Sequence, residues 1–157
     1  MSLDSVLLTL HLLAVVVWVG GMFFAYVMVR PAAVTALEPP QRGALWQGIF
    51  ERFFVYVWVA VIVLPATGYW MMFERMGGFA GAPLYVHLMQ GLGLVMIALF
   101  LVLYFRAFPR FRAARAAKDL AAAGARLGDI RRTVGINTIL GFVTIVVAAL
   151  GRAGALG

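Results

Sequence analysis

Four long apolar runs, separated by shorter polar stretches, dominate the pattern of hydrophobic and polar positions along the chain. Each run has about the 20 residues that a helix needs to cross roughly 30 Å of hydrocarbon. We therefore predict transmembrane spans at residues 6–29, 53–73, 84–105 and 134–150. The predicted fold is an all-α integral membrane protein, a four-helix up-down bundle that forms a single membrane domain over residues 1–157.

The composition supports the assignment of the chain to a lipid bilayer, because 64% of the residues are hydrophobic and only 12% are charged. The chain has no cysteine. Disulfides, thiolate metal sites, iron–sulfur clusters and covalent c-type haem are therefore excluded. Gly20-Gly21 and Gly91-x-Gly93 lie inside spans rather than in a nucleotide-binding loop, and no Ser/His/Asp arrangement is present.

The positive charge is concentrated after the third span, in a basic loop over residues 106–133. Basic loops remain in the cytoplasm, so we expect both termini to face the periplasm of a bacterial inner (cytoplasmic) membrane. Anionic lipid headgroups are a sufficient partner for the net charge of +7, which makes a nucleic-acid partner unnecessary. We expect the basic segment to be helical, with interruptions near Pro109 and Gly124.

The two histidines, His11 and His87, each lie inside a span, and an ionisable residue in hydrocarbon is a candidate functional site. Both fall within about two turns of the periplasmic surface, at nearly equal depth. The first and third helices of an up-down bundle are diagonal partners, so two inward-pointing imidazoles could share one metal centre. The alternative is that each histidine only ties helices together by a hydrogen bond.

Residues at helical spacing from each histidine indicate which faces would line the site. The stripe from His11 contains Ala14, Val15, Trp18, Met22 and Ala25, and the stripe from His87 contains Gln90, Gly91, Leu94 and Ala98. Gly91 would leave room for a cofactor beside His87, and Gln90 could orient an imidazole.

Methionines supply further soft ligands at the same level, namely Met71, Met72 and Met89. Thioether sulfur combined with imidazole suits copper, particularly Cu(I). Methionine is also a common apolar filler, which is the simpler explanation for any single one.

The residues alone leave two cofactors open, a copper ion or haem b. Two strong ligands at matched depth suit the axial ligation of a b-type haem, and Gly20, Gly68 and Gly91 would form a slot for the ring. The methionine cluster favours copper. No chain of polar residues crosses the bundle, so binding or redox chemistry at the outer leaflet is favoured over a channel.

Three segments resemble a known family. They are Leu10-His11-Leu12 through Trp18-Val19-Gly20-Gly21-Met22-Phe23 with Arg30-Pro31, then Tyr85-Val86-His87-Leu88-Met89-Gln90-Gly91-Leu92-Gly93, and Arg131-Arg132-Thr133-Val134-Gly135-Ile136-Asn137. Together they resemble the membrane domain of CopD-type copper resistance proteins, as a short four-span member. The resemblance implies an inner-membrane protein that handles copper.

The layout is more distantly similar to the membrane-bound protoporphyrinogen oxidases of haem synthesis. Those proteins carry His-x-Lys in the third span, whereas this chain has His87-Leu88-Met89. The missing lysine argues against that oxidase activity, but it does not argue against haem.

Combined with the residues, the CopD resemblance favours copper handling at the periplasmic side through a paired-histidine site. The alternative is a b-type haem protein with bis-histidine ligation that acts in electron transfer. Besides the lipid bilayer, the partners considered are a second copy of the chain and a periplasmic metal or electron carrier. Whether the protein is an enzyme stays open at this point.

Overall fold

The computed structural model describes residues 2–155 and contains four long helices in that range. They are α1 (Leu3–Ala36), α2 (Pro39–Met76), α3 (Leu84–Ala116) and α4 (Leu120–Arg152), each long and apolar enough to cross a membrane. Each predicted span lies within one of these helices. The predicted all-α membrane fold is therefore confirmed.

Local sequence signals account for where the helices begin and end. The Ser2 hydroxyl accepts a hydrogen bond from the Ser5 amide at the start of α1, and Asp119 accepts one from the Ala122 amide at the start of α4. Helix α2 ends where Gly77 adopts a φ of 71°, in the left-handed region that glycine enters at no steric cost. These caps place the turns between the helices rather than within them.

The predicted interruptions near Pro109 and Gly124 were wrong, because the chain turns at residues 117–119 instead. Pro109 follows a π-helical stretch, Leu103–Ala107, and stands at the start of the next α-helical segment. A proline is tolerated in a first helical turn because its missing N–H has no partner to lose there. Gly124 lies inside α4, and the turn passes through Lys118 with a φ of 57°.

Antiparallel neighbours pack along one another, α1 against α2 and α3 against α4. Helix α4 also contacts α1 and α2. Helices α1 and α3 are the diagonal pair, as predicted, and their side chains meet across the interior where Trp18 contacts Phe100, with ring centroids 6.3 Å apart.

The two halves of the bundle differ in packing. We call the half that holds the α1–α2 and α3–α4 connections the loop half, and the half that holds both termini and the α2–α3 connection the terminal half. The loop half contains a continuous aromatic cluster with ring centroids 5.1 to 6.4 Å apart, formed by Trp46, Phe50, Phe54, Phe108 and Phe111. Edge-to-face and stacked contacts of this kind stabilise a core beyond the area they bury.

Small residues on α4 let its neighbours approach closely. A Cβ on Gly135 would lie 2.9 Å from the Tyr26 ring of α1, and one on Gly141 would lie 2.8 Å from Val19. Gly151 receives the Tyr85 ring of α3 in the same way. Close approach of this kind drives helix association in lipid, where burial of apolar surface gives no net gain.

Candidate functional site

His11 lies on the inner face of α1, in the terminal half. Trp18 and Met22, on the stripe predicted from His11, are both buried, and Ala14 and Val15 pack against the core. The imidazole Nδ1 lies 2.8 Å from the Thr67 hydroxyl of α2. The prediction that this stripe of α1 faces the interior is therefore confirmed.

The Thr67 hydroxyl favours one tautomer of His11. Its own hydrogen is donated to the Val63 carbonyl at 2.6 Å, which leaves its oxygen to accept from His11. The tautomer that completes this hydrogen bond carries its proton on Nδ1 and has its lone pair on Nε2. Metal-binding histidines in proteins are oriented in this way, with one ring N–H given to an oxygen acceptor.

Thr67 was missed by the sequence reading. The only available signal was a hydroxyl residue next to Gly68 in an otherwise apolar stretch of α2. A helical threonine that bonds its own i−4 carbonyl is common and carries no functional information by itself. Its role becomes visible only when α1 is docked, with His11 Cε1 3.5 Å from the position that a Gly68 Cβ would occupy.

An ion pair near the termini joins α1 to α2. Arg75 lies 3.0 Å from Asp4, which is consistent with the pairing of Thr67 and His11 about two turns deeper. Met71 and Met72 therefore stand between these two contacts on α2. Met72 is buried, with 3% of its surface exposed, whereas Met71 is half-buried.

On its other side α2 contacts α3 through Tyr69, whose hydroxyl accepts a hydrogen bond of 2.8 Å from the Gln90 amide. Tyr69 stands about 200° around the helix from Thr67, so α2 lies between α1 and α3 at this level. Met72 falls between these two contact faces and points into the interior. Gln90, predicted to orient an imidazole, binds this tyrosine.

His87 occupies a different position from His11. It is half-buried, and its stripe on α3 faces away from the core, because Leu94 is 50% exposed and Ala98 and Gly91 are exposed as well. The prediction that His87 and His11 lie at nearly equal depth stays a prediction.

The glycines predicted to line a haem slot do not enclose one in this chain. A Cβ added to Gly20 or to Gly91 would meet nothing within 4 Å, so both border open space. Only Gly68 lies against the predicted site, next to His11. The haem alternative thus gains no support from the packing.

Met89 shares its face of α3 with Met96, seven residues further on, which is buried in the core. It precedes Gln90 and so lies about 4 to 5 Å nearer the termini than His11. Side chains lean toward the N-terminus of their own helix. Because α1 and α2 run in opposite directions, the His11 side chain is expected to point toward the termini and the Met72 side chain away from them. The two side chains are therefore expected to point toward each other.

Within residues 2–155 there is no group of three or more His, Cys, Asp or Glu side chains that could hold a metal ion. A copper ion held in this part of the chain would therefore need thioethers beside imidazole. The predicted ligands with this chemistry are His11 on α1, Met72, which is buried on α2, and Met89, which is half-buried on α3. Cu(I) is the ion that such soft ligands favour.

Comparison with known proteins identifies a family. A family model described as Copper resistance protein D matches residues 47–150, which include most of α2, all of α3 and nearly all of α4. Neither the curated proteins nor the solved structures gave a significant match. Helix α1, with His11, lies outside the matched segment. Because the match covers well over half of the chain, the protein belongs to the copper resistance protein D family of membrane proteins.

Proposed function

We propose that the protein binds copper, as Cu(I), inside the terminal half of the bundle, on the periplasmic side of a bacterial inner membrane. The observation that carries this proposal is the hydrogen bond between His11 Nδ1 and the Thr67 hydroxyl, which itself donates to the Val63 carbonyl. With the proton on Nδ1, the lone pair of Nε2 would be available to a metal ion. Methionines of α2 and α3 would supply the further ligands.

Met72 and Met89 are the proposed thioether ligands. Both lie on inner faces, and the flexible side chain of methionine can adjust to an ion between helices. His87 and Met71 are the remaining predicted ligands, and their positions suit a role at the rim of the site. We propose that they assist entry of the ion rather than hold it.

The periplasmic orientation rests on charge. Basic residues crowd the loop half, including Arg106, Arg110, Arg112 and Arg115 at the end of α3. Positively charged segments remain in the cytoplasm, so the terminal half would face the periplasm. Copper would then reach His11 from outside, and a periplasmic copper carrier is the partner that this geometry favours.

Copper binding is tested with the full chain purified in detergent, by titrating Cu(I) against a competing chelator. We expect His11→Ala to weaken binding by more than the 10- to 100-fold typical of losing an outer hydrogen-bond partner. Met72→Leu should weaken it as well. Met28→Leu is the matched control, because Met28 is 50% exposed on α1 and should leave binding unchanged.

Two results would overturn the proposal. One is Cu(I) binding by His11→Ala that equals that of the wild-type protein while helix content is unchanged. The other is a b-type absorption spectrum with stoichiometric iron in the purified protein, which would assign the histidines to haem.

A further inference from the structure

A cavity of about 40 Å³ lies inside the loop half, away from the proposed copper site. All four helices contribute to it, and most of its lining is apolar and aromatic, including Trp18, Trp46 and Phe50. The polar residues in this lining are Tyr26 and Arg30 of α1, and Arg131 and Asn137 of α4. The volume holds about three water molecules, so the oxygen atoms of one small group fit and a flat cofactor does not.

Asn137 presents an unmet hydrogen-bond acceptor to this cavity. The residue is 4% exposed, and its amide nitrogen donates to the Met96 carbonyl at 3.2 Å. Its Oδ1 is buried and has no partner within residues 2–155. A buried acceptor without a hydrogen-bond partner destabilises the folded state, so a ligand in the cavity that donates a hydrogen bond to Oδ1 would be favoured.

The two arginines add an unneutralised positive charge. In the described part of the chain, neither Arg30 nor Arg131 forms an ion pair with a carboxylate. The nearby acid on α4, Asp129, pairs instead with Arg126 at 3.3 Å. Arg30 also lies over the Tyr26 ring, 5.1 Å from its centroid, which holds the guanidinium beside the cavity.

We propose that this cavity binds a phosphate group that also presents a hydroxyl hydrogen, with Arg30 and Arg131 contacting its charged oxygens and Asn137 Oδ1 accepting from the hydroxyl. Arginine suits this role because its planar fork pairs with phosphate oxygens in two parallel hydrogen bonds. Two sources share the chemistry. One is free phosphate, which carries its own P–OH, and the other is a phosphatidylglycerol headgroup, whose glycerol hydroxyls serve as donors.

Asn137 Oδ1 distinguishes this proposal from a general attraction of anions to a basic surface, because it favours an anion that can donate a hydrogen bond. Sulfate has the same shape as phosphate but carries no hydrogen at neutral pH. A site built to accept a hydroxyl hydrogen rejects an analogue that lacks it. The cavity should therefore bind phosphate at least about tenfold more tightly than sulfate.

The experiment uses the full chain in a neutral detergent, and binding of inorganic phosphate and of sulfate is measured by calorimetry. Arg131→Gln should weaken phosphate binding at least about tenfold, because one charged bidentate contact is lost. Arg132→Gln is the matched control, since it removes the same charge from the adjacent, exposed position. Asn137→Leu should abolish the preference for phosphate over sulfate while the arginines still attract both anions.

The lipid source is tested on the same proteins by native mass spectrometry after mixing with phosphatidylglycerol or phosphatidylcholine. Selective retention of phosphatidylglycerol that is lost in Arg131→Gln, together with weak binding of free phosphate, assigns the site to the lipid. Tight phosphate binding without lipid retention assigns it to the free anion. The proposal fails if neither ligand is retained, or if Arg132→Gln and Arg131→Gln lose binding equally.

Discussion

The terminal half and the loop half of this bundle are built from different side chains. The loop half packs an aromatic cluster around Phe50 and Phe54 and has Arg30 and Arg131 beside its cavity. The terminal half buries Thr67 and Met72 and holds an imidazole, with fewer aromatic contacts. The dense aromatic packing makes the loop half the more rigid half by expectation, and the terminal half contains the side chains proposed to bind copper.

The contrast also bears on transport. A cation that left the terminal half and moved through the interior would meet Arg30 and Arg131 beside the loop-half cavity. Fixed positive charges in a confined space form an electrostatic barrier to cations. The arrangement therefore favours the proposed binding of copper at one surface over conduction across the membrane.

The largest expected effect is on stability, from truncating the aromatic cluster. Phe54 is buried and contacts four other rings, so Phe54→Ala should lower the free energy of unfolding by about 3 to 5 kcal/mol. Phe105→Ala is the control, because Phe105 is 63% exposed. Reversible unfolding in mixed micelles measures both, and equal losses would mean that the loop half is not the rigid half.

The second effect is on copper affinity, through the hydrogen bond that orients His11. Thr67→Val keeps the shape of the side chain but removes the oxygen that accepts from Nδ1–H. We expect Cu(I) affinity to fall by about 10- to 100-fold, as for other partners that orient metal-binding histidines. Thr67→Ser retains the hydroxyl and should bind nearly as tightly as wild type. Equal affinities of the valine and serine variants would remove Thr67 from the site.

The third effect compares two glycines in the same fold. Gly151→Ala would force the Tyr85 ring away from α4 and should destabilise the protein by about 1 to 3 kcal/mol. Gly20→Ala meets nothing within 4 Å and should be neutral or stabilise α1 by up to about 1 kcal/mol. Thermal unfolding of the two variants should shift the midpoint in opposite directions, or leave it unchanged for Gly20→Ala. A fall of similar size in both would show that Gly20 faces a partner, such as a second copy of the chain.

The fold was predictable from the sequence because hydrophobic length determines which segments cross a bilayer. Each of the four spans follows from this one constraint. The turn at Lys118 was not predictable from Pro109 and Gly124. Pro109 follows a π-helical stretch and Gly124 lies inside a capped helix, so neither residue ends its helix. The local sequence composition does not reveal either of these structural contexts.

The candidate site was predictable only in part, because periodicity gives relative positions within a helix and not the rotation of one helix against another. His11 and His87 looked equivalent by depth, but their stripes face differently, as the exposure of Leu94 shows. Thr67 and Tyr69 became recognisable only through their partners on α1 and α3. Of the two methionines of α2, only Met72 is fully buried, which is why it is proposed as the inner thioether.

The smallest expected effect comes from the ion pair between Asp4 and Arg75, at the open end of the terminal half. The two side chains are 37% and 42% exposed, and ion pairs in contact with water contribute less than about 1 kcal/mol. A double-mutant cycle with Asp4→Asn and Arg75→Gln should give a coupling energy below that value, falling further in high salt. Copper affinity should stay within about twofold, since the register of α1 on α2 is also held by His11 and Thr67. Two outcomes would contradict this expectation: a coupling energy that persists in high salt, or a loss of copper binding in either variant. Either would mean that this ion pair sets the register on which the site depends. The terminal half would then be more rigid than its packing indicates.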